Sequence, residues 1–394
     1  MSERFINPNI LHLPQSGIRK FFNVAQEIPN VISLGIGEPD FVTPYPIRRR
    51  AIDSLLDGET QYTENAGLFP LREEIAYYLK TRFGLEYNPK TEVVVTVGAS
   101  EAIDIVLRAT LSPGDEVILQ DPGYVSYAPC VMMTGAVPVP VITRSDNEFQ
   151  LTAADIEGKI TDKTRAILLS YPNNPTGSIL SLECMQDIAE LAIKHDLLII
   201  SDEIYNELVY DGNTQPSFAG LDGMWDRCVT INGFSKAFAM TGQRVGYLCA
   251  PKGIAEQALK IHQYTILCAC RTSQAAAIAA LKYGRETEYK DVIMMRESYD
   301  RRRRLMHSAL VNMGLSCIEP KGAFYAFPSV ESTGLSSEEF CERLLKEEAV
   351  VCVPGSAFGP GGERHIRCCY ATDIDKMKEA FLRMNRFIQR LKEE

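Results

Sequence analysis

Residues 197–205 read Leu197-Leu198-Ile199-Ile200-Ser201-Asp202-Glu203-Ile204-Tyr205: four apolar residues in a row, then a hydroxyl, two acids, one more apolar residue and a phenol. A short apolar run with no alternation predicts a strand, Leu197–Ser201, buried on both faces, as a parallel sheet covered by helices requires. Ahead of it Leu182–His195 is patterned as a helix, and Ser181 stands where an N-cap belongs. The same texture repeats outward. Val93–Val97, Glu116–Leu119, Val137–Val141, Ala166–Ser170, Val229–Asn232 and Val245–Cys249 are further candidate strands. Helical stretches lie between them, such as Glu101–Leu111 with Ile103, Val106, Leu107 and Thr110 on one face. The alternation predicts an α/β fold: a three-layer α/β/α large domain on a mostly parallel seven-stranded sheet.

After residue 250 the texture changes. Helix-prone segments Glu288–Asn312, Ser336–Glu348 and Asp373–Glu394 are interleaved with strand-like Gly322–Phe327, Val350–Val353 and His365–Cys369. This pattern places a smaller α+β domain at 286–394 and the large domain at 46–285. Residues 1–45, with a helix-like piece and a Pro/Gly-rich stretch, are expected to pack on the small domain.

Composition narrows the function. The 394 residues are 45% hydrophobic, with 16 Phe and 17 Tyr, which excludes disorder as the main theme. Against 41 basic residues stand 51 acidic ones, a net charge of −10 that repels nucleic acid and anionic lipid. An anionic ligand must therefore be held by a local cluster. The 11 cysteines form no CxxC pair and read as reduced thiols, Cys268 and Cys270 as core residues. Met1–Lys20 lacks the apolar centre of a signal peptide, and no apolar run could span a bilayer. A cytoplasmic protein with no nucleic-acid or membrane partner is expected. His12, His195, His262, His307 and His365 lack metal-site spacing, so no metal is expected. Arg296 and the run Arg301–Arg304 read as a solvated helix face, and Gly359-Pro360-Gly361-Gly362 as a turn.

In an open α/β sheet, ligands sit beyond the carboxyl ends of the strands. Beyond Val93–Val97 come Gly98-Ala99-Ser100, small residues that let an anion approach a helix N-terminus. Beyond Ala166–Ser170 come Asn173-Asn174-Pro175-Thr176-Gly177; beyond Leu197–Ser201, Asp202, Glu203 and Tyr205; beyond Val229–Asn232, Ser235, Lys236 and then Arg244. An amine suited to a Schiff base, an acid to face a pyridinium nitrogen and donors for a phosphate together make the set that pyridoxal phosphate needs.

Over nearly its whole length the chain resembles the class I/II aminotransferases of pyridoxal-phosphate fold type I. The motifs, in the family's order, are Gly35-Ile36-Gly37-Glu38-Pro39-Asp40, Tyr62-Thr63-Glu64-Asn65-Ala66-Gly67, Asn174-Pro175-Thr176-Gly177, Ser201-Asp202-Glu203-Ile204-Tyr205, Ser235-Lys236, Gly242-Gln243-Arg244-Val245-Gly246-Tyr247 and His365-Ile366-Arg367. Ser16-Gly17-Ile18-Arg19-Lys20 and Asn232-Gly233-Phe234-Ser235-Lys236 make it most like the aspartate/aromatic branch.

The resemblance implies a role for each residue. Lys236 would carry the cofactor as a Schiff base, Asp202 would face the pyridine nitrogen, and Tyr205 and Asn174 would meet the ring's phenolic oxygen. Tyr124 would stack on the ring. Ala99, Ser100, Ser235 and Arg244 would hold the phosphate, joined by Tyr62 from the neighbouring subunit of a homodimer with shared sites. Arg367 would clamp the substrate α-carboxylate beside the Gly37 backbone. Gln243 departs from the aromatic residue that many relatives carry there, and no second arginine stands out for a distal carboxylate. The implied activity is transfer of an amino group from an L-amino acid, aromatic or broad in preference with aspartate possible, to a 2-oxo acid such as 2-oxoglutarate. Ile18, Tyr62, Gln243, Leu267 and Phe324 would shape the pocket. Two rivals remain. One is a pyridoxal-phosphate β-lyase of the cystathionine type. The other is a regulator on the same scaffold, which would need an added DNA-binding domain for which neither 394 residues nor a net charge of −10 leaves room.

Overall fold

Seven strands form the central sheet, in the order Val93–Thr96, Gly246–Cys249, Cys228–Gly233, Leu198–Asp202, Thr164–Ser170, Glu116–Asp121 and Val137–Ile142. The computed structural model describes residues 3–11, 13 and 28–394; Ser16–Lys20 with Ile18, and His12, lie outside the described residues. Only Gly246–Cys249 runs antiparallel to its neighbours; the other pairs are parallel. Ile167, Leu169 and Ile199 enter one core, while Ala166, Leu168 and Ile200 enter another on the opposite face. Helices on both faces make three layers, which is why these strands read as continuous apolar runs. The exception is the edge strand Val137–Ile142, partly exposed and carrying Pro138 and Pro140, tolerable where no neighbour needs an N–H.

Helix Gly98–Thr110 starts three residues before Glu101, where apolar patterning alone begins it. Gly98 takes φ +77°, a left-handed turn that leads the chain straight from strand into helix.

The second unit holds a three-stranded antiparallel sheet of Val353–Pro354, Ile366–Cys369 and Tyr325–Ala326. Lys290–Asn312, Ser337–Glu348 and Ile374–Glu393 are its helices. Ser336 and Asp373 cap the last two rather than lying inside them; each side chain accepts a backbone N–H of the first turn. Ile32–Ser33 pairs in parallel with Val350–Val351, whereas Pro8–Leu11 lies beside helix Tyr127–Met133 of the larger unit.

Three sequence expectations need correction. The run Gly322–Phe327 yields a strand of only Tyr325–Ala326. Ala323 adopts φ +56°, and the N–H groups of Gly322 and Ala323 bond Gly177 and Leu208 of the large unit instead of a strand partner. The arginine run is not a solvated face throughout: Arg303 is fully buried among acids, and Arg302 pairs with Asp40 at 2.8 Å. Cys270, expected in the core, is exposed. No described helix is long and apolar enough to cross a membrane.

Candidate active site

Three parallel strands end side by side at Ser170, Asp202 and Gly233, and just beyond the first of them Asn174 meets Arg367 of the small sheet's strand Ile366–Cys369. Asp202 is the last residue of its strand and is 5% exposed. Its Oδ2 accepts the Tyr127 hydroxyl at 2.8 Å and its Oδ1 the Ile204 N–H at 3.2 Å. Burial nevertheless raises its pKa to about 6, as expected for a carboxylate whose desolvation no contacting cation offsets.

Lys236 extends from the loop after strand Cys228–Gly233, and its Nζ donates to the Gly37 carbonyl at 2.6 Å. The amine lies 5.4 Å from the Phe324 ring centroid and 5.7 Å from that of Tyr205. Burial draws its pKa down to about 8. Tyr205 shares a 2.7 Å hydrogen bond with the Tyr325 hydroxyl, and burial keeps it protonated.

Arg367 is 3% exposed. Its Nη1 donates to Asn174 Oδ1 at 2.8 Å and its Nη2 to the Gly35 carbonyl at 2.6 Å. The guanidinium lies 4.5 Å from the Tyr325 ring centroid and 4.8 Å from that of Phe358. Its Nε is buried without a partner among the described residues. Two amine-side donors fixed by neutral acceptors, with a third free, suit a carboxylate better than a structural role.

The opposite end of the site is an anion cup. Arg244 approaches the start of helix Gly98–Thr110 so closely that a Cβ on Gly98 would lie 2.7 Å from its Nη2. A Cβ on Gly246 would lie 2.6 Å from the Ala99 N–H nitrogen. Gly98 is required by its φ of +77° and Gly246 by the backbone of Gly98 and Ala99; a cation and backbone N–H groups thus crowd one helix N-terminus, the setting in which a phosphate is held. Ser235 is buried nearby in sequence, next to Lys236, while Ala99 is half-buried and Ser100 exposed. Amine, acid without a contacting cation and anion cup together fit pyridoxal phosphate.

Tyr124 packs edge-on against Tyr127, with ring centroids 5.4 Å apart. Tyr62 stands outside this convergence: it is 79% exposed, in a loop whose Asn65 Nδ2 bonds the Leu267 carbonyl at 2.8 Å. Gln243 accepts the Ser273 hydroxyl at 3.2 Å. Three site residues escaped the sequence reading. Tyr127 had a faint signal, a second aromatic three residues after Tyr124. Tyr325 lay within a segment read only as strand, and Phe358 had no signal at all.

The family model described as aminotransferase class I and II matches residues 29–383. The chain is 52% identical over 386 residues to the putative aminotransferase YugH of Bacillus subtilis, covering 98% of this chain and 99% of that protein. It is 45% identical over 394 residues to the aspartate aminotransferase of Pyrococcus abyssi, covering 100% and 99%. The solved structure of the aromatic aminotransferase from Pyrococcus horikoshii superposes with a TM-score of 0.90 at 45% identity, covering 95% of this chain and 99% of that one.

Proposed function

The chain belongs to the class I and II aminotransferases, and from that premise we propose how its residues divide the work and which amino acids it takes. It is a transaminase that uses pyridoxal phosphate. Bound in the site, pyridoxal phosphate supplies an aldehyde for the amino group and a ring that accepts the electron pair left when the Cα proton departs.

Lys236 would anchor the cofactor through its Nζ, and the same nitrogen would move the Cα proton. A pKa of about 8 leaves a useful fraction of Nζ neutral near pH 7, and the Gly37 carbonyl holds that nitrogen at 2.6 Å. Asp202 keeps a proton on the ring nitrogen. The cation so formed returns to the carboxylate the stabilisation that burial removed. Tyr205 and Asn174 hold the phenolic oxygen, and Tyr124 covers a ring face. Ala99, Ser100, Ser235, Arg244 and Tyr62 of the partner subunit hold the phosphate. Arg367, with Gly37, would bind the substrate α-carboxylate and so fix the orientation of Cα relative to Lys236 Nζ, the group that takes its proton. An L-amino acid and a 2-oxo acid enter; the corresponding 2-oxo acid and amino acid leave.

The preferred donors are aromatic or broad rather than aspartate alone, with 2-oxoglutarate as an acceptor. The observation that carries this is the aromatic wall of the site: Tyr325 and Phe358 lie against the Arg367 guanidinium, and Phe324 lies beside the Lys236 amine. The cations brought to the site, Lys236, Arg244 and Arg367, all have other work. Relatives named for aromatic and for aspartate substrates agree with breadth; the cystathionine-lyase alternative draws no support from them. Comparing kcat/KM for tyrosine, phenylalanine, aspartate and leucine tests it. An aspartate value a hundredfold above the aromatic ones, about 2.7 kcal/mol, overturns the preference.

The working form is a cytoplasmic homodimer. Supporting it, Leu55, Leu56, Tyr62 and Tyr264 are exposed apolar residues at 57%, 74%, 79% and 86%, more than an isolated chain needs to present. Each site then draws Tyr62 from the partner subunit. Co-expressing two inactive variants, one with Tyr62→Phe plus a second lesion in its loop and one with Lys236→Ala, should restore activity in heterodimers. Confirmed heterodimers that stay inactive would show that the loop serves its own subunit.

A further inference from the structure

Tyr325 touches three parts of the site at once. Its hydroxyl lies 2.7 Å from that of Tyr205, its ring lies under the Arg367 guanidinium at 4.5 Å, and Gly37 packs so close that a Cβ there would come 2.5 Å from the Tyr325 oxygen. It is 1% exposed, and burial holds its hydroxyl protonated throughout the working pH range. It reaches these partners from the small sheet, whereas Tyr205 stands on the large unit.

A phenol has one proton to donate. In the Tyr205–Tyr325 pair either oxygen can be the donor by geometry alone. The two directions are not equivalent for the site. If Tyr205 donates to Tyr325, it offers only lone pairs to whatever lies on its other side. If Tyr325 donates, the Tyr205 proton is released for a third group, and the chain of two hydroxyls polarises in one sense, strengthening the terminal donor. The cofactor's phenolic oxygen is electron-rich and needs a donor. A cation over the face of the Tyr325 ring draws density from it and favours the same direction.

We propose that Tyr325 is a positioning residue for the transamination reaction, donating its proton to Tyr205 so that the Tyr205 hydroxyl is aimed at the cofactor's phenolic oxygen. This rests on the placement of Tyr205 beside that oxygen argued above. Tyr325 itself touches neither the reacting carbon nor the shuttled proton. Its contribution is to fix which way a neighbouring O–H points and how strongly it donates.

The test is a spectrophotometric pH titration of the holoenzyme, following the proton shared between Lys236 Nζ and the phenolic oxygen through the visible absorbance of the bound cofactor. A donor to that oxygen competes with the shared proton, so its removal lets the proton stay to higher pH. Tyr205→Phe should raise the midpoint most. Tyr325→Phe keeps the ring under Arg367 and should raise it in the same direction by a smaller amount, roughly 0.3–0.5 pH unit. In a Tyr205→Phe background, Tyr325→Phe should add nothing, the signature of two groups acting through one bond. Binding of a simple carboxylate at Arg367 should stay within about twofold in Tyr325→Phe, since the stacked ring remains. Should Tyr325→Phe fold poorly, Gly37→Ala reaches the same hydroxyl by displacing it and should also raise the midpoint.

No movement in Tyr205→Phe would overturn the placement of Tyr205 itself, and this proposal with it. Movement in Tyr205→Phe with none in Tyr325→Phe, or a full additional shift in the double variant, would overturn the role of Tyr325 alone.

Discussion

Two arginines of the small unit are almost fully buried, Arg303 at 1% and Arg367 at 3% exposure, and their surroundings are opposite. Arg303 is saturated. Its Nε meets Asp300 at 2.8 Å, Nη1 meets Glu319 at 3.0 Å and the Pro320 carbonyl at 2.9 Å, and Nη2 meets Asp211 at 2.5 Å. Arg367 meets no carboxylate among the described residues; an amide oxygen, a carbonyl and two ring faces hold it, and Nε is left over. Burying a cation costs several kcal/mol unless an anion offsets it. Arg303 brings its anions from within the chain, which marks a structural knot. Arg367 is built to receive one from outside.

The comparison breaks if the two positions respond alike. Arg367→Ala should lower kcat/KM for every amino acid by about 10²–10⁴-fold, since the residue supplies both a charge-assisted bond and the orientation of Cα. Its melting temperature should hold or rise, because an uncompensated buried charge is gone. Arg303→Met should do the reverse. It removes one partner each from Asp211, Asp300 and Glu319, the first two keeping Arg304, and should destabilise the fold by about 2–4 kcal/mol, short of the full buried-pair value because those acids are partly exposed. KM should stay near native in the folded fraction. Steady-state kinetics alongside denaturant unfolding separates the two, and a stability loss in Arg367→Ala equal to that of Arg303→Met ends the distinction.

The same contrast exists among acids. Glu348 is 7% exposed; burial pushes its pKa up, yet hydrogen bonds from Arg390 and Arg386 win and hold it below the usual carboxylate range. It stabilises the fold above its ordinary pKa, and that contribution is lost as pH falls. Asp202 is raised by burial to about 6, so its sign is opposite. Relative to the unfolded chain, its favourable contribution is present below about pH 3.8 and is lost as pH rises through about 6. At pH 8 the cofactor-free protein therefore carries a buried charge that its fold does not compensate. Asp202→Asn should make that form more stable at pH 8 by about 2–3 kcal/mol, with the gain shrinking toward pH 4, while abolishing most activity of the holoenzyme. Thermal unfolding across pH reads the first effect. A gain independent of pH would place its origin in packing rather than charge.

These contrasts also mark how far the sequence could be read. The strands ending at Ser170, Asp202 and Gly233 announce themselves because burial on both faces removes polar residues locally, so the polar residues just beyond them stand out. Asn174, Asp202, Tyr205 and Lys236 were legible for that reason. Arg303 was misread because its neighbours in sequence, Arg301, Arg302 and Arg304, suggest a wet face, while Asp211 and Glu319 arrive from distant segments. Tyr325 was hidden because Ala323, with its positive φ, cuts the strand short, leaving Tyr325 with its ring against Arg367. No local pattern encodes that turn; it follows from the bonds of Gly322 and Ala323 to Gly177 and Leu208.

The smallest expected effect sharpens the comparison at the ring faces. Arg303 lies 5.2 Å from the Tyr210 ring and Arg367 4.8 Å from that of Phe358, so both cations have an aromatic neighbour. For Arg303, ionic hydrogen bonds on every nitrogen make the ring secondary. For Arg367 the ring is one of few groups that favour the charge before a carboxylate arrives, and a desolvated cation–π contact is worth about 0.5–2 kcal/mol. Phe358 rides on the loop that bonds the large unit through its own carbonyl, which accepts the Gly123 N–H at 3.0 Å, and through Gly361 N–H to Asp121 at 2.9 Å. Those backbone contacts do not depend on the ring. Phe358→Leu should therefore keep the loop in place and most of the buried volume, and lose chiefly the contact with the guanidinium. KM should rise about two- to tenfold with kcat within about a factor of two. A fall in kcat larger than the rise in KM would mean that the ring acts on the reaction geometry, through the loop or Tyr325, and not on the resting charge of Arg367.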